Sequence, residues 1–248
     1  MYYCGYNFFS MEKFVQVVND LIGIRLGPDQ VNAFKVYESE LIYWNSQFNL
    51  TAIREPEAIR IKHFLDSLTC LLALDFQKLP GSMVDIGTGA GFPGIPLKII
   101  WPRLRLTLVE SVHKKANFCK HIIAKLGLKD VMVVAERAET VGQMSQHRQK
   151  YDIAVARAVA KMPVLVEYLL PLVRLGGLAV IQKGESAHGE VHSAEKAIDI
   201  LGGKLQRLIP ILLPGVVEER FLVILEKVAV TSPEFPRKPG VPAKKPLK

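Results

Sequence analysis

Val84-Asp85-Ile86-Gly87-Thr88-Gly89-Ala90-Gly91-Phe92-Pro93-Gly94 decides the reading of this chain, because an apolar strand runs into an acid and then into a glycine-dense turn that opens a helix. Glycines at such a turn take positive φ and let a ligand approach the main chain, while a helix start presents unpaired N–H groups. The stretch reads as a nucleotide-type cofactor seat, with Gly87, Gly89, Gly91 and Phe92 as candidate contacts. Two cofactors compete for it. Gly89 to Gly94 fits the G-x-G-x-x-G spacing of dinucleotide sites and would suit an NAD-dependent oxidoreductase. Asp85 points elsewhere: a pyrophosphate would meet a like charge in a poorly solvated turn, whereas S-adenosylmethionine brings an ammonium and a sulfonium that a carboxylate attracts. The single carboxylate of that methyl donor would take the N–H groups of the helix start, favoured by the macrodipole by roughly 0.3 to 1 kcal/mol.

Outward from the turn, short β-rich runs alternate with helical segments, the signature of a parallel α/β sheet. The expected strands are Ser82 to Ile86, Leu104 to Glu110, Asp130 to Val134, Tyr151 to Ala156, Leu178 to Gln182, Lys204 to Ile211 and Phe221 to Lys227. Only a turn around Pro214-Gly215 separates the last two, which predicts an antiparallel hairpin at the edge of a mostly parallel seven-stranded sheet. Ligands of open α/β sheets bind at the carboxyl ends of the strands, near the reversal of strand order.

Ahead of this core, helical periodicity begins near Met11 and Phe14, resumes after Pro28 with Val31, Phe34, Leu41, Trp44 and Phe48, and returns over approximately Glu57 to Leu74. The expected organisation is a disordered extension at 1–10, a helical segment at 11–78, the cofactor-binding core at 79–229, and a basic, proline-rich tail at 230–248. That tail carries Arg237, Lys238, Lys244, Lys245 and Lys248 with no acid after Glu234, a composition expected to be disordered.

The 248 residues suffice for a substantial interior. A net charge of +8 and a pI near 9.3 suit an anionic partner. Cys4, Cys70 and Cys119 have neither C-x-x-C nor metal-ligand spacing, which fits reduced thiols in a cytoplasmic protein. No run of eighteen apolar residues and no basic n-region appear, so neither a membrane span nor a signal peptide is expected.

Several residues beyond the turn are placed to carry chemistry. Glu110 ends the second strand at the distance expected of an acid that accepts both ribose hydroxyls. Ala138 and Glu139, after the third strand, would lie near the adenine of a nucleoside cofactor; the alternative for Glu139 is a helix N-terminal acid favoured by the dipole. After the fourth strand, Ala156-Arg157-Ala158-Val159-Ala160 contains neither the acid or amide before Pro-Pro-aromatic of exocyclic-amine methylation nor a nucleophilic cysteine. An acceptor with its own lone pair, such as guanine N7, needs neither, because orientation alone contributes roughly 7 to 11 kcal/mol. Arg157 would then hold a phosphate or part of the cofactor, and Lys183 after the fifth strand would do similar positioning work. His63, Asp66 and Ser67 share a helix face, but without a G-x-S-x-G elbow they suit a polar contact between helical front and core better than a hydrolase triad.

Together these motifs resemble the glucose-inhibited division protein B family, also called small-subunit rRNA methyltransferase G, over about residues 12 to 228. The resemblance rests on Trp44-Asn45 with Phe48-Asn49-Leu50-Thr51-Ala52-Ile53, on His63-Phe64-Leu65-Asp66-Ser67-Leu68, and on the glycine turn with its extension Phe92-Pro93-Gly94-Ile95-Pro96-Leu97. Glu110-Ser111 before Lys114-Lys115, Arg137-Ala138-Glu139 and Arg157-Ala158 complete it. It implies a class I, Rossmann-like methyltransferase fold with an N-terminal helical extension, and methyl transfer from S-adenosylmethionine to N7 of a guanine in the decoding region of 16S rRNA. By position it implies Gly87, Phe92, Ala138, Glu139 and Arg157 as cofactor contacts, with Glu110 and Asp85 at the ribose and methionine ends. The implied partner is 16S rRNA in the small ribosomal subunit or an assembly intermediate, with no membrane; the oligomeric state is open, a monomer favoured. A non-catalytic rRNA-binding assembly factor is the alternative that keeps the same fold.

Overall fold

A computed structural model of the chain describes residues 9–75 and 81–247. The expected boundary at 78/79, Cys4 and the first eight residues of the expected N-terminal extension lie outside these residues. Phe9 and Ser10, which belong to that extension, are placed: Phe9 is buried and Ser10 caps the first helix by accepting from the Lys13 N–H.

The first helix, α1 (Met11–Ile22), ends on Gly23 in the left-handed region, and α2 (Pro28–Phe48) starts on a proline at its first position. The third expected helix is interrupted. α3 (Pro56–Ile59) passes into a π-helical turn at Arg60–Leu65, then α4 (Asp66–Leu68) and a 3-10 turn at Thr69–Ala73. Hydroxyls take up backbone carbonyls along it, Ser67 donating to His63 O at 2.5 Å and Thr69 to Asp66 O at 2.6 Å. Such local bonds compete with regular helix.

The core then alternates β1 (Ser82–Ile86), α5 (Gly94–Ile100), β2 (Arg105–Val109), α6 (His113–Lys125), β3 (Val131–Val134), α7 (Ala138–Gln143), β4 (Tyr151–Arg157), α8 (Met162–Leu169), β5 (Val173–Lys183), α9 (Ala187–Ile200), β6 (Gly203–Ile211) and β7 (Arg220–Lys227). The seven strands form one sheet in the order β3-β2-β1-β4-β5-β7-β6. β7 alone runs antiparallel, lying between β5 and β6, so the expected hairpin is present at the sheet edge. β5 starts five residues before the expected Leu178. Gly176-Gly177 reads as a breaker but lies beside an irregularity opposite Tyr151 to Ile153, where a Cβ on Gly177 would sit 2.6 Å from Asp152 O.

Alternate residues of the central strands feed opposite faces. Met83, Leu106, Leu108, Ile153, Val155 and Val180 pack under α1, α2, α5 and α6, while Val84, Ile86, Ala154, Ala156, Ala179 and Ile181 pack under α8 and α9. The front helices are therefore the cover of one sheet face. Phe14, Phe34 and Phe64 join that layer in an aromatic cluster with centroids 5.1 to 6.2 Å apart.

The tail corrects the expectation from its composition. Residues 230–247 pack against the core and include a short helix, α10 (Val241–Lys244). Arg148 donates to the carbonyls of Thr231, Ser232 and Phe235, and Gln143 to those of Pro233 and Pro236. Arg237 pairs at 2.6 Å with Glu167, which has no exposure at all. The stretch ahead of α10 is held through its carbonyls, by donors 83 to 93 residues away.

Candidate functional site

At the carboxyl edge of the sheet, Gly87, Gly89 and Gly91 all hold positive φ. Gly91 shows why the turn requires them: at φ 97°, a Cβ there would lie 2.5 Å from both the Tyr37 hydroxyl oxygen and Ile95 Cδ1. Tyr37, on α2, donates its hydroxyl to Ala90 O at 2.5 Å and fastens the front layer to the turn.

Asp85 lies entirely behind this turn. Its Oδ2 accepts from the Thr88 hydroxyl at 2.6 Å and from the Gly94 N–H at 2.8 Å, while its Oδ1 is buried without a partner. Burial pushes its pKa up to about 6, opposed by the Thr88 and Gly94 hydrogen bonds and by Arg157. One expectation changes with this geometry. Gly94, the first residue of α5, spends its N–H on Asp85, so it is not a free donor for a ligand carboxylate. An Asp85→Ala substitution would remove the brace of the turn itself. What Asp85 still offers a cationic ligand group is Oδ1.

Glu110, just past β2, faces the turn from the neighbouring strand. Its Oε2 accepts from the Gly89 N–H at 2.9 Å and its Oε1 from the Val112 N–H at 2.7 Å. Each carboxylate oxygen retains a further lone pair, so the group can still accept two ribose hydroxyls. Ala138 opens α7 one strand farther out. Glu139 is buried, and its Oε1 accepts from the Gly240 N–H of the tail at 2.9 Å, so this carboxylate serves the C-terminal segment. Burial, together with the Glu139 charge, pushes the Tyr168 phenol up to about 12.

Phe92 is buried, its ring stacked on His63 at 4.4 Å and on Tyr37 at 5.3 Å, with the Arg157 guanidinium carbon 5.1 Å from its centroid. Arg157 leaves β4 and ties the turn to the helical front: it pairs with Asp66 at 2.7 Å and donates to Lys62 O at 3.1 Å and to His63 Nδ1 at 3.2 Å. An arginine only donates, so Nδ1 is the acceptor and the proton sits on Nε2, which donates to the Thr51 hydroxyl oxygen at 2.8 Å. Burial and the Arg157 charge hold this imidazole neutral, its pKa down to about 3. His63 and Asp66 thus make the polar contact between front and core that their spacing suggested, and Ser67, bonded to a backbone carbonyl, is no nucleophile. Lys183 is neutralised in the same manner, donating to Glu190 at 2.7 Å and to Ala160 O at 2.6 Å.

The structure thus gathers Asp85, Gly87, Gly89, Gly91, Phe92 and Glu110 at the ends of β1 and β2, and Arg157 and Lys183 at the ends of β4 and β5. Strand order reverses between these two groups. Sequence reasoning missed Tyr37, Gln182 and Arg220. The one signal for Gln182 is a polar residue closing an otherwise apolar strand run, Leu178 to Ile181.

The sequence model of the rRNA small subunit methyltransferase G family (GidB) matches residues 30–212. Relatives named ribosomal RNA small subunit methyltransferase G include one from Roseiflexus sp., 50% identical over 91% of this chain and 95% of its own length. Another, from Bacillus cereus, is 43% identical over 96% of this chain and 99% of its own. Among solved structures, a variant of the 16S rRNA (adenine(1408)-N(1))-methyltransferase from Catenulisporales acidiphilia aligns at TM-score 0.51 and 17% identity, over 63% of this chain and 87% of that one. TrmN from Thermus thermophilus aligns at TM-score 0.51 and 15% identity over 71% and 55%. At such identities the solved structures speak for the fold alone.

Proposed function

The chain belongs to the rRNA small subunit methyltransferase G family, and from that premise we propose that it transfers the methyl group of S-adenosylmethionine to N7 of a guanine in the decoding region of 16S rRNA. The observation that carries this reading is the Gly87–Gly91 turn braced from behind by Asp85 and from the side by Glu110. An unpartnered buried carboxylate oxygen suits a cationic ligand group, and a strand-end carboxylate with spare lone pairs suits a diol. The NAD-dependent alternative falls away with the family assignment.

When bound, S-adenosylmethionine supplies an electrophilic methyl carbon on a sulfonium; the N7 lone pair forms the new bond, the carbon–sulfur pair leaves with sulfur, and no proton is lost. The protein's work is orientation and charge, with no residue forming a covalent intermediate. Gly87, Gly89, Gly91 and Glu110 would hold the nucleoside part, with Ala138 beside the base and Asp85 Oδ1 toward the ammonium. Phe92 and Arg157 form the wall between this seat and the ends of β4 and β5. That His63 is kept neutral and Asp66 is spent on Arg157 agrees with a reaction that needs no general base. The partner is ribosomal RNA, and the positive net charge favours its approach. Among the described residues no helix is long and apolar enough to cross a membrane.

Mapping N7-methylguanine in 16S rRNA from cells with and without this protein tests the proposal. One site lost on deletion and restored by purified protein with S-adenosylmethionine is the expected result. An unchanged map would reduce the protein to an rRNA-binding assembly factor.

A further inference from the structure

Across the switch point from the glycine turn, the ends of β4, β5 and β6 and the start of β7 enclose a cavity of about 260 Å³. This is below the roughly 300–1,000 Å³ of pockets for drug-sized ligands and suits a single ring system. Arg157 and Lys183 line it, yet each is already paired, with Asp66 and Glu190. The third cation of the lining, Arg220, shares Asp66 with Arg157. What is unspent here is one acceptor and one donor. Gln182 is 6% exposed, and its Nε2 donates to Asp66 O at 2.6 Å and to the Thr69 hydroxyl oxygen at 3.3 Å. A carbonyl can only accept, so these bonds fix the amide with nitrogen toward α4, and Oε1 is left buried with no partner. Arg220 reaches Asp66 through Nη1 at 3.5 Å, while its Nε–H is likewise buried with no partner. Buried polar groups are costly to leave unpaired, and two of them on residues that line one small cavity call for a ligand that answers both.

We propose that this cavity is the pocket for the acceptor base, in which the Gln182 carbonyl accepts from the N1–H and 2-amino groups of the target guanine and the Arg220 Nε–H donates to its O6. The inference rests on the methyltransferase reading above and adds how the base is chosen. Guanine places donors and O6 side by side on one edge, and N7 lies on the far side of O6 from the 2-amino group. With the Watson–Crick edge committed to Gln182 and Arg220, N7 is left free as the nucleophile. A base read this way leaves the RNA stack to be read, as base-modifying enzymes require.

The test compares initial methyl-transfer rates on small-subunit particles rebuilt with either guanosine or inosine at the target position; inosine keeps N7, N1–H and O6 but lacks the 2-amino group. S-adenosylmethionine affinity is measured alongside for each variant. The wild type is expected to prefer guanosine by about tenfold in kcat/KM, and Gln182→Leu to lower the guanosine rate and bring the two rates within about twofold, with methyl-donor affinity unchanged. Arg220→Lys is expected to slow both particles by about tenfold while preserving the preference. Equal wild-type rates, a preference that survives Gln182→Leu, or full turnover by Arg220→Lys would overturn the pocket assignment. A wild type that methylates neither particle would instead sink the functional reading on which it stands.

Discussion

The two sides of the sheet's carboxyl edge are built by opposite means. On the β1–β2 side the proposed cofactor seat is main chain: Asp85 and Glu110 brace a loop of three positive-φ glycines, and a Cβ would meet other atoms at 2.7 Å on Gly87 and at 2.5 Å on Gly91. On the β4–β5 side it is side chain: Arg157, Gln182 and Arg220, each positioned by Asp66 or its backbone from the helical front. The difference teaches what the N-terminal helices do. A backbone seat can be read from one contiguous motif, while a seat of side chains needs an outside element to set it, and α4 with the preceding π-helical turn is that element.

Breaking the main-chain side should cost most. Gly91→Ala combines a left-handed φ with contacts at 2.5 Å to Tyr37 and Ile95, a destabilisation on the order of 5 kcal/mol. Denaturant unfolding should show it, together with lost S-adenosylmethionine binding. On the side-chain half, Arg157→Gln strands the buried Asp66 carboxylate at a cost of about 3 kcal/mol, eased by Arg220. Its signature would be methyl transfer failing more than methyl-donor binding; equal loss of both would erase the division between the halves.

The halves also differ in how they answer to pH. Asp85, with its pKa raised to about 6, favours the fold when protonated, so that stability is present below the ordinary aspartate range and is lost as pH rises through 6. Asp85→Asn should therefore gain on the wild type by no more than about 3 kcal/mol between pH 4 and 7. His63, with its pKa lowered to about 3, gives the opposite slope: its contribution is present above pH 6.5 and is lost progressively as pH falls toward 3. At pH 6 that loss is under about 1 kcal/mol, and it should be missing from the pH profile of His63→Gln. Unfolding curves across pH 4 to 8 for wild type and both variants would expose parallel slopes if these assignments are wrong. A smaller effect belongs to the tail: Arg237→Ala leaves the buried Glu167 with only a backbone donor and should cost about 1–2 kcal/mol by thermal unfolding, whereas a disordered tail would register nothing.

The legible parts of this molecule were local. The strand, acid and glycines of 84–94 sit in one window, and alternation of β and helical patterns yields the seven strands with their edge hairpin. Glu110 is legible by its distance from the turn. Two kinds of feature were not. The tail is held through carbonyls by Arg148 and Gln143, and composition registers proline and charge but never a distant donor. Gln182 and Arg220 matter because one atom of each is left without a partner, a property that exists only after the other atoms have found theirs. Asp85 shows a subtler miss. It lies near the end of β1 as expected, but sequence could not reveal that Thr88 and Gly94 claim one of its two oxygens.

The most direct test of the central claim is a crystal structure of the protein with S-adenosylmethionine. The account predicts ligand density along residues 87 to 91, ribose hydroxyls on Glu110 and the methyl group facing the Gln182–Arg220 cavity. Density in another cavity, with the glycine turn bare, would contradict it.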